Sequence, residues 1–167
     1  DWNSPEVQQV YRGYAESTMY KILAEALVDI VTTILETEQI GTVIEIGAGP
    51  GKLTEVLCRR VTEKGISIPV VISDGATGIK DTAESLRQRY PRVSISDFVW
   101  NITQDPPEAL VKKLTPPVLM YERFCIPYGG YEVINRIAPL ADILLMLEDF
   151  NLTDTKEAYD IIFEKIG

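Results

Sequence analysis

Histidine is absent from this sequence, and cysteine and tryptophan occur only twice each. Without imidazole the chain has neither the commonest general base nor the commonest metal ligand, so we expect no metal site. Cys58 and Cys125 lie in separate apolar segments without a pairing pattern, which indicates buried, reduced thiols. No apolar run approaches the roughly 20 residues that span a bilayer, and the N-terminal DWNSPE lacks the features of a secretory signal. We therefore expect a cytoplasmic protein without a membrane partner.

Positive charge is also in short supply. Lysine and arginine number 16 against 25 aspartates and glutamates, so the net charge is -9 and the isoelectric point is about 4.6. This charge opposes the phosphate neutralisation on which nucleic-acid binding depends, and we expect no nucleic-acid partner. The 167 residues, 46% of them hydrophobic, suffice for one globular domain with its own core.

The first part of the chain has the pattern of helices. Apolar residues recur at intervals of three and four over residues 4–35, with Ser4 and Pro5 as an N-cap and first-turn pair. Gly13 is expected to divide this run into a short helix and a long one. We assign residues 1–38 to an N-terminal helical segment that precedes the first strand.

Strand and helix patterns then alternate along the chain. Apolar strands are predicted at residues 42–46, 66–73, 93–96, 118–124 and 141–148. Helices are predicted at residues 53–61, 78–90, 107–114, 131–137 and 155–166. Near-continuous apolar strands separated by helices are typical of a parallel sheet covered on both faces. We predict a single doubly wound α/β domain over residues 1–167, with a mostly parallel sheet of about five strands. Residues 39–150 form its core, and residues 151–167 form a C-terminal helix.

A glycine-rich turn follows the first strand, in the stretch VIEIGAGPGKLTEVL. A phosphate-binding P-loop requires a glycine where this sequence has Ile46 and a hydroxyl residue where it has Leu53. A dinucleotide-binding turn requires a final glycine where this sequence has Lys52. Neither pattern fits.

The pattern that remains is an acidic residue followed by three alternating glycines: Glu45, Gly47, Gly49 and Gly51. It resembles the first motif of the class I S-adenosylmethionine-dependent methyltransferases, where the acid ends the first strand and the glycine turn holds the methionine half of the cofactor. Glycine permits a close backbone approach and positive φ, and the following helix N-terminus favours the ligand's carboxylate. The resemblance implies S-adenosylmethionine as the cofactor.

Acidic residues near the ends of the next two strands extend this resemblance. Asp74 lies at the end of the second strand, where such folds place a ribose-binding acid. Asp97, expected at the end of the third strand, resembles the acid that receives the adenine amino group, with Phe98 packing on the ring. The alternative roles of these aspartates are a turn residue and a helix cap. The cofactor contacts implied by the resemblance are Glu45, Gly47, Ala48, Gly49, Gly51, Asp74, Gly75, Asp97, Phe98 and Tyr121.

The segment after the fourth strand borders the acceptor in this family. Here it departs from the Asn/Asp-Pro-Pro-Tyr/Phe pattern of enzymes that methylate amino nitrogens of bases and glutamine. In the absence of histidine, the acceptor arrives ionised or loses its proton to a side chain. The candidate bases are Tyr121, Glu122 and Tyr128, with an N-terminal tyrosine as a further alternative. The candidate acceptor contacts are Tyr11, Tyr14 and Arg123. Tyr11, Tyr14 and Ser17 fit a lid over the cofactor, and the spacing of the tyrosines fits equally a helix face packed on the sheet.

The end of the chain departs from the family. Class I methyltransferases usually finish with an antiparallel strand pair beside the fifth strand, and no such pattern follows Phe150. The apolar fifth strand is then an edge that needs cover. Either the chain is an excised piece, or a partner chain or second copy in a homodimer covers this edge.

Three functions stay open on the sequence. The first is a methyltransferase, or its cofactor-binding core, with a small-molecule or protein acceptor. The second is a non-catalytic module that keeps the fold and works through a partner. The third, a nucleotide-dependent oxidoreductase, is disfavoured by Lys52 in place of the last glycine.

Overall fold

The computed structural model describes residues 3–123 and 132–147. Three predictions lie outside the described residues. They are the candidate base Tyr128, the state of Cys125 and the helix at residues 155–166.

Two helices form the N-terminal segment, α1 at Pro5–Ala15 and α2 at Thr18–Thr37. The break between them falls at Ser17, whose hydroxyl caps α2 by accepting from the Tyr20 amide at 3.1 Å. Gly13 lies inside α1, so the prediction of a break there is wrong. A capping serine starts a new helix, whereas a glycine in a helix interior costs only about 1 kcal/mol. Among the described residues, no helix has the length and apolar character needed to cross a bilayer.

Five parallel strands form one sheet. They are β1 Thr42–Ile46, β2 Val70–Asp74, β3 Ile95–Val99, β4 Val118–Arg123 and β5 Ile143–Leu147. Their order across the sheet is β3-β2-β1-β4-β5, and every neighbouring pair is parallel. The connecting helices are α3 Lys52–Lys64, α4 Ile79–Arg89, α5 Glu108–Val111 and α6 Glu132–Ile137, with a 3₁₀ turn at Ala138–Leu140. The predicted doubly wound α/β fold is confirmed.

Helices cover both faces of the sheet. One core cluster joins α2, α3 and α4 to alternate strand residues such as Val43 and Ile72. The other joins α5 and α6 to the residues between them, such as Ile44 and Val71. Trp100 belongs to the second cluster and is 4% exposed, so this ring is a core aromatic. Strands that bury both faces read as continuous apolar runs, which is why the sequence pattern was informative.

Two strands differ from their predicted bounds. β2 begins at Val70, four residues beyond the predicted start at Ile66. β3 begins at Ile95 and continues to Val99, because Val93 is still in a turn where its amide donates to Tyr90 O at 3.0 Å. This shift moves two predicted site residues from a strand end into a strand interior.

The strand order reverses at β1. The chain passes from β1 outward through β2 and β3, then crosses back to place β4 on the other side of β1. In open parallel sheets, ligands bind outside the carboxyl ends of the strands at such a point. The glycine turn follows β1 at this edge, so the topology directs attention to it.

Gly41, just before β1, packs closely against the backbone of Thr115 and Pro116. A Cβ at Gly41 would lie 2.3 Å from the carbonyl oxygen of Thr115, which is backbone and cannot rotate away. We expect Gly41→Ala to lower the free energy of unfolding by about 2 kcal/mol, since overpacking of this kind is destabilising. The matched control is Gly13→Ala, where a Cβ meets nothing within 4 Å. We expect this control to raise the free energy of unfolding, measured by urea denaturation, by up to about 1 kcal/mol. Equal midpoints for the two variants would contradict the packing at Gly41.

Candidate functional site

The turn between β1 and α3 uses glycine backbone conformations. Gly47, Gly49 and Gly51 have φ values of 71°, 50° and 70°, in the left-handed region that side chains disfavour. At Gly51 a Cβ would also lie 2.5 Å from the Thr82 side chain of α4. The spacing recognised in the sequence therefore reflects a real constraint on this turn.

Asp74 fastens this turn to the end of β2. Its Oδ2 accepts from the Gly49 amide at 2.8 Å, and its Oδ1 accepts from the Ala76 amide at 2.7 Å. Burial raises the pKa of Asp74, and the two backbone N–H groups act in the opposite direction. A carboxylate offers about four lone-pair sites, so each oxygen keeps capacity for a further donor. Gly75 follows Asp74 in the loop that leads to α4.

A cavity of about 290 Å³ lies beside these groups. Gly49, Pro50 and Asp74 line it on the sheet side, and Thr82 lines it from α4. Gly49 has room around it, since a Cβ there would meet nothing within 4 Å. Two residues of the predicted cofactor set, Gly49 and Asp74, are thus brought together at one cavity. Ala48 lies beside them in the turn and is buried.

Glu45 does not line the cavity, contrary to the cofactor contact that the resemblance implied. Its side chain is 3% exposed and lies under α3, where it accepts from the hydroxyls of Thr54 and Tyr121, the latter at 3.3 Å. The reason is strand alternation. Glu45 points to the same face of the sheet as Val43, and that face packs against the core cluster under α2, α3 and α4. Burial raises the pKa of Glu45 to about 8, although the bonds from Thr54 and Tyr121 lower it.

Tyr121 and Glu122 are also interior residues. Tyr121 is 0% exposed, and burial followed by the charge of Glu45 raises its pKa well above the ordinary value. Glu122, also 0% exposed, lies between Ile46 and Met146 in the sheet register, on the opposite face from Tyr121. Neither side chain is accessible to an acceptor in this conformation, contrary to the prediction for both.

Asp97 and Phe98 do not lie at the end of β3. Asp97 is paired with Ile72 within the sheet and accepts from Arg87 of α4. Phe98 packs against the second core cluster. Because consecutive strand residues point to opposite faces, these two side chains cannot hold the same adenine ring as predicted.

Three further predicted site residues are described by their backbone alone. Tyr11 and Tyr14 lie in α1 and Arg123 ends β4, and only the backbone is described at these three positions. They remain predictions, as does Tyr128.

Two residues that the sequence reading missed lie close to Asp74. Asn101 follows the true end of β3, next to Trp100, whose amide donates to Asp74 O at 2.8 Å. Arg12 of α1 lines the same cavity as Gly49 and Asp74. The polar residue after the apolar FVW run was the available signal for Asn101. For Arg12 the only sequence signal was its position next to Tyr11 in the predicted N-terminal helix.

The N-terminal segment is tied to this edge of the sheet at a second point. Asn3 Oδ1 accepts from the amide of Thr77 at 3.0 Å and from its hydroxyl at 3.1 Å. Thr77 lies in the loop between β2 and α4, three residues after Asp74. Helix α1 therefore starts beside the site, as the lid interpretation requires.

No protein-family model matches the sequence, and a search of curated proteins found no match. Solved structures do match. The plantazolicin methyltransferase BpumL in complex with SAH has a TM-score of 0.63 at 13% identity, covering 93% of this chain and 58% of that one. The DszA carbon methyltransferase has a TM-score of 0.67 at 12% identity, covering 89% and 41%. The citrinin polyketide synthase CMeT domain has a TM-score of 0.58 at 19% identity, covering 86% and 39%.

The chain has the class I methyltransferase fold. It spans about 40 to 60% of the length of these solved methyltransferases. Identities this low establish a shared methyltransferase fold and leave activity and substrate to be proposed.

The buried Glu45 makes the stability of the chain depend on pH. Its pKa is 4.5 when unperturbed and about 8 in the folded chain, so the folded state holds the proton over that range while the unfolded state releases it. The free energy of unfolding therefore falls as pH rises from about 4.5 to 8. Glu45→Gln is neutral throughout, and we expect it to gain stability relative to the wild type by a few kcal/mol across this range.

Urea unfolding at each pH measures this difference. Glu25→Gln is the matched control, because Glu25 is partly exposed and paired with Arg59 and Arg60 at the surface. A wild-type to Glu45→Gln difference that stays constant between pH 5 and 8 would contradict the buried, proton-holding carboxyl.

Proposed function

We propose that this chain binds S-adenosylmethionine and is a methyltransferase, or the cofactor-binding core of one. The observation that carries the proposal is the bond between Asp74 and the Gly49 amide, beside a cavity between the glycine turn, the loop after β2 and α4. This arrangement pairs a glycine turn with an acid at the end of the neighbouring strand, in a fold shared with solved methyltransferases.

The residues at the cavity fit the polar groups of such a cofactor. The free lone pairs of Asp74 suit ribose hydroxyls. The backbone of Gly47 and Gly49 suits the methionine half, and the N-terminus of α3 favours its carboxylate. Arg12 of α1 adds a cation to the cavity lining. When bound, the cofactor supplies an electrophilic methyl group.

The acceptor is proposed to be a small molecule or a protein. Solved neighbours are named for plantazolicin, for a carbon methyltransferase and for coclaurine N-methylation, so the fold alone does not fix the acceptor atom. The net charge of -9 disfavours nucleic acid. With Tyr121 and Glu122 buried, proton removal falls to a group elsewhere, or the acceptor reacts without it.

Calorimetry with S-adenosylmethionine, S-adenosylhomocysteine and NADH tests the proposal. We expect micromolar binding of both adenosyl compounds and none of NADH. Asp74→Ala should weaken adenosyl binding at least 30-fold, because it removes the ribose acceptor and the Gly49 anchor. Gly49→Val should abolish binding, because valine is strained at a φ of 50° and its side chain enters the cavity.

The matched control is Asp29→Asn, an exposed surface acid paired with Arg60. It should bind like the wild type. Thermal unfolding of each variant confirms that it is folded at the assay temperature. Binding of NADH alone, or adenosyl binding that is indifferent to Asp74→Ala, would overturn the proposed function.

A further inference from the structure

Three elements meet at the Glu45 carboxyl. Glu45 lies in β1, Thr54 in the first turn of α3, and Tyr121 in β4, directly opposite Glu45 in the sheet register. Both hydroxyls donate to Glu45 Oε2. One buried oxygen thus joins the strand before the glycine turn, the helix after it and the neighbouring strand.

Glu45 also contacts the first turn of α3, whose N-cap residue makes no side-chain capping bond. The N-cap residue is Gly51, which makes no side-chain capping bond, while the first-turn amides of a helix need acceptors. The Thr54 hydroxyl, in that first turn, donates to Glu45 Oε2, so Glu45 ties the start of α3 to β1. Gly51 itself holds the left-handed conformation that the turn requires.

The protonation state of Glu45 affects its hydrogen bonds with Thr54 and Tyr121. Burial raises its pKa to about 8, so at neutral pH its carboxyl is largely protonated and accepts both hydroxyls without a buried charge. Among the described residues, the ionisable groups coupled to it are Asp74 on β2, Cys58 on α3 and Tyr121 on β4. Burial raises the pKa of each of these three as well, to about 12 for Cys58. Ionisation of Glu45 would add a second negative charge near Asp74, on which the turn is anchored.

We propose that Glu45, through Thr54 and Tyr121, is a positioning residue that holds the glycine turn in its ligand-binding shape from the core between the sheet and α3. This inference rests on the proposed cofactor binding and assigns Glu45 no contact with the cofactor. The residue that resembles a family ligand contact acts from the core, and β4 is coupled to the turn through the same oxygen.

Calorimetric titration with S-adenosylhomocysteine between pH 6.5 and 9 tests the inference. At pH 7 we expect Glu45→Gln to bind within threefold of the wild type, because a carboxamide oxygen still accepts both hydroxyls. Glu45→Ala should bind at least tenfold more weakly. At pH 9 the wild type should bind at least fivefold more weakly than Glu45→Gln. The titration of the ligand itself is common to both proteins and cancels in that comparison.

A pair of variants at Thr54 separates positioning from packing and does not depend on the folding of Glu45→Ala. Thr54→Ser keeps the hydroxyl and loses a methyl group, and Thr54→Val keeps the shape and loses the hydroxyl. We expect Thr54→Ser to bind like the wild type, and Thr54→Val and Tyr121→Phe to bind three- to tenfold more weakly. The opposite order at Thr54 would indicate packing and would overturn the inference.

The remaining outcomes are also decisive. Coincident pH profiles for the wild type and Glu45→Gln, or wild-type affinity in both Thr54→Val and Tyr121→Phe, overturn the positioning role and leave the proposed function standing if the wild type binds. Failure of the wild type to bind S-adenosylhomocysteine overturns both.

Discussion

The hydrogen bond from the Gly49 amide to the Asp74 carboxylate is the contact on which the site depends. The glycine turn belongs to the β1–α3 connection, and Asp74 ends the adjacent strand, so this bond fixes the spacing between the two loops that follow these strands. The Gly47 and Ala48 amides reinforce it by donating to Ser73 O at 2.9 and 3.0 Å. Bonds within the protein hold the three left-handed glycines beside the cavity, which lowers the ordering cost of binding there.

Two acidic side chains thus support one turn from opposite sides. Asp74 works at the open edge of the sheet, where its carboxylate is held by backbone amides and keeps lone pairs for a ligand. Glu45 works in the core, where burial outweighs its hydrogen bonds and raises its pKa to about 8. Burying a carboxyl carries a free-energy cost. The hydrogen bonds from the Thr54 and Tyr121 hydroxyls offset part of that cost, and they join the carboxyl to the start of α3, where Gly51 has no side chain to offer.

The sequence was a good guide to the fold and an uneven guide to the site. Apolar runs located all five strands, and the glycine spacing located the turn. The strand bounds were less clear where polar and apolar residues mix, as in SISDFV, and a shift in β3 moved Asp97 and Phe98 into its interior. Alternation fixes which strand residues share a face, but the sequence does not show which helices cover that face. Glu45 and Tyr121 therefore read as cleft residues although both face α3. Arg12 reaches the cavity through tertiary packing, which has no local pattern.

The burial of Tyr121 and Glu122 bears on what chemistry this fold can perform. Methyl transfer from a sulfonium to a nucleophile is an in-line displacement in which positive charge disappears, so alignment and exclusion of water contribute most of the rate. Such a reaction tolerates the lack of histidine, provided that the acceptor is already nucleophilic or loses its proton elsewhere. A turn fixed by Asp74 in front and by Glu45 behind supplies alignment and no proton transfer. Under the proposed function, the acceptors that need no base from the described residues are those whose reacting atom carries an available electron pair near neutral pH.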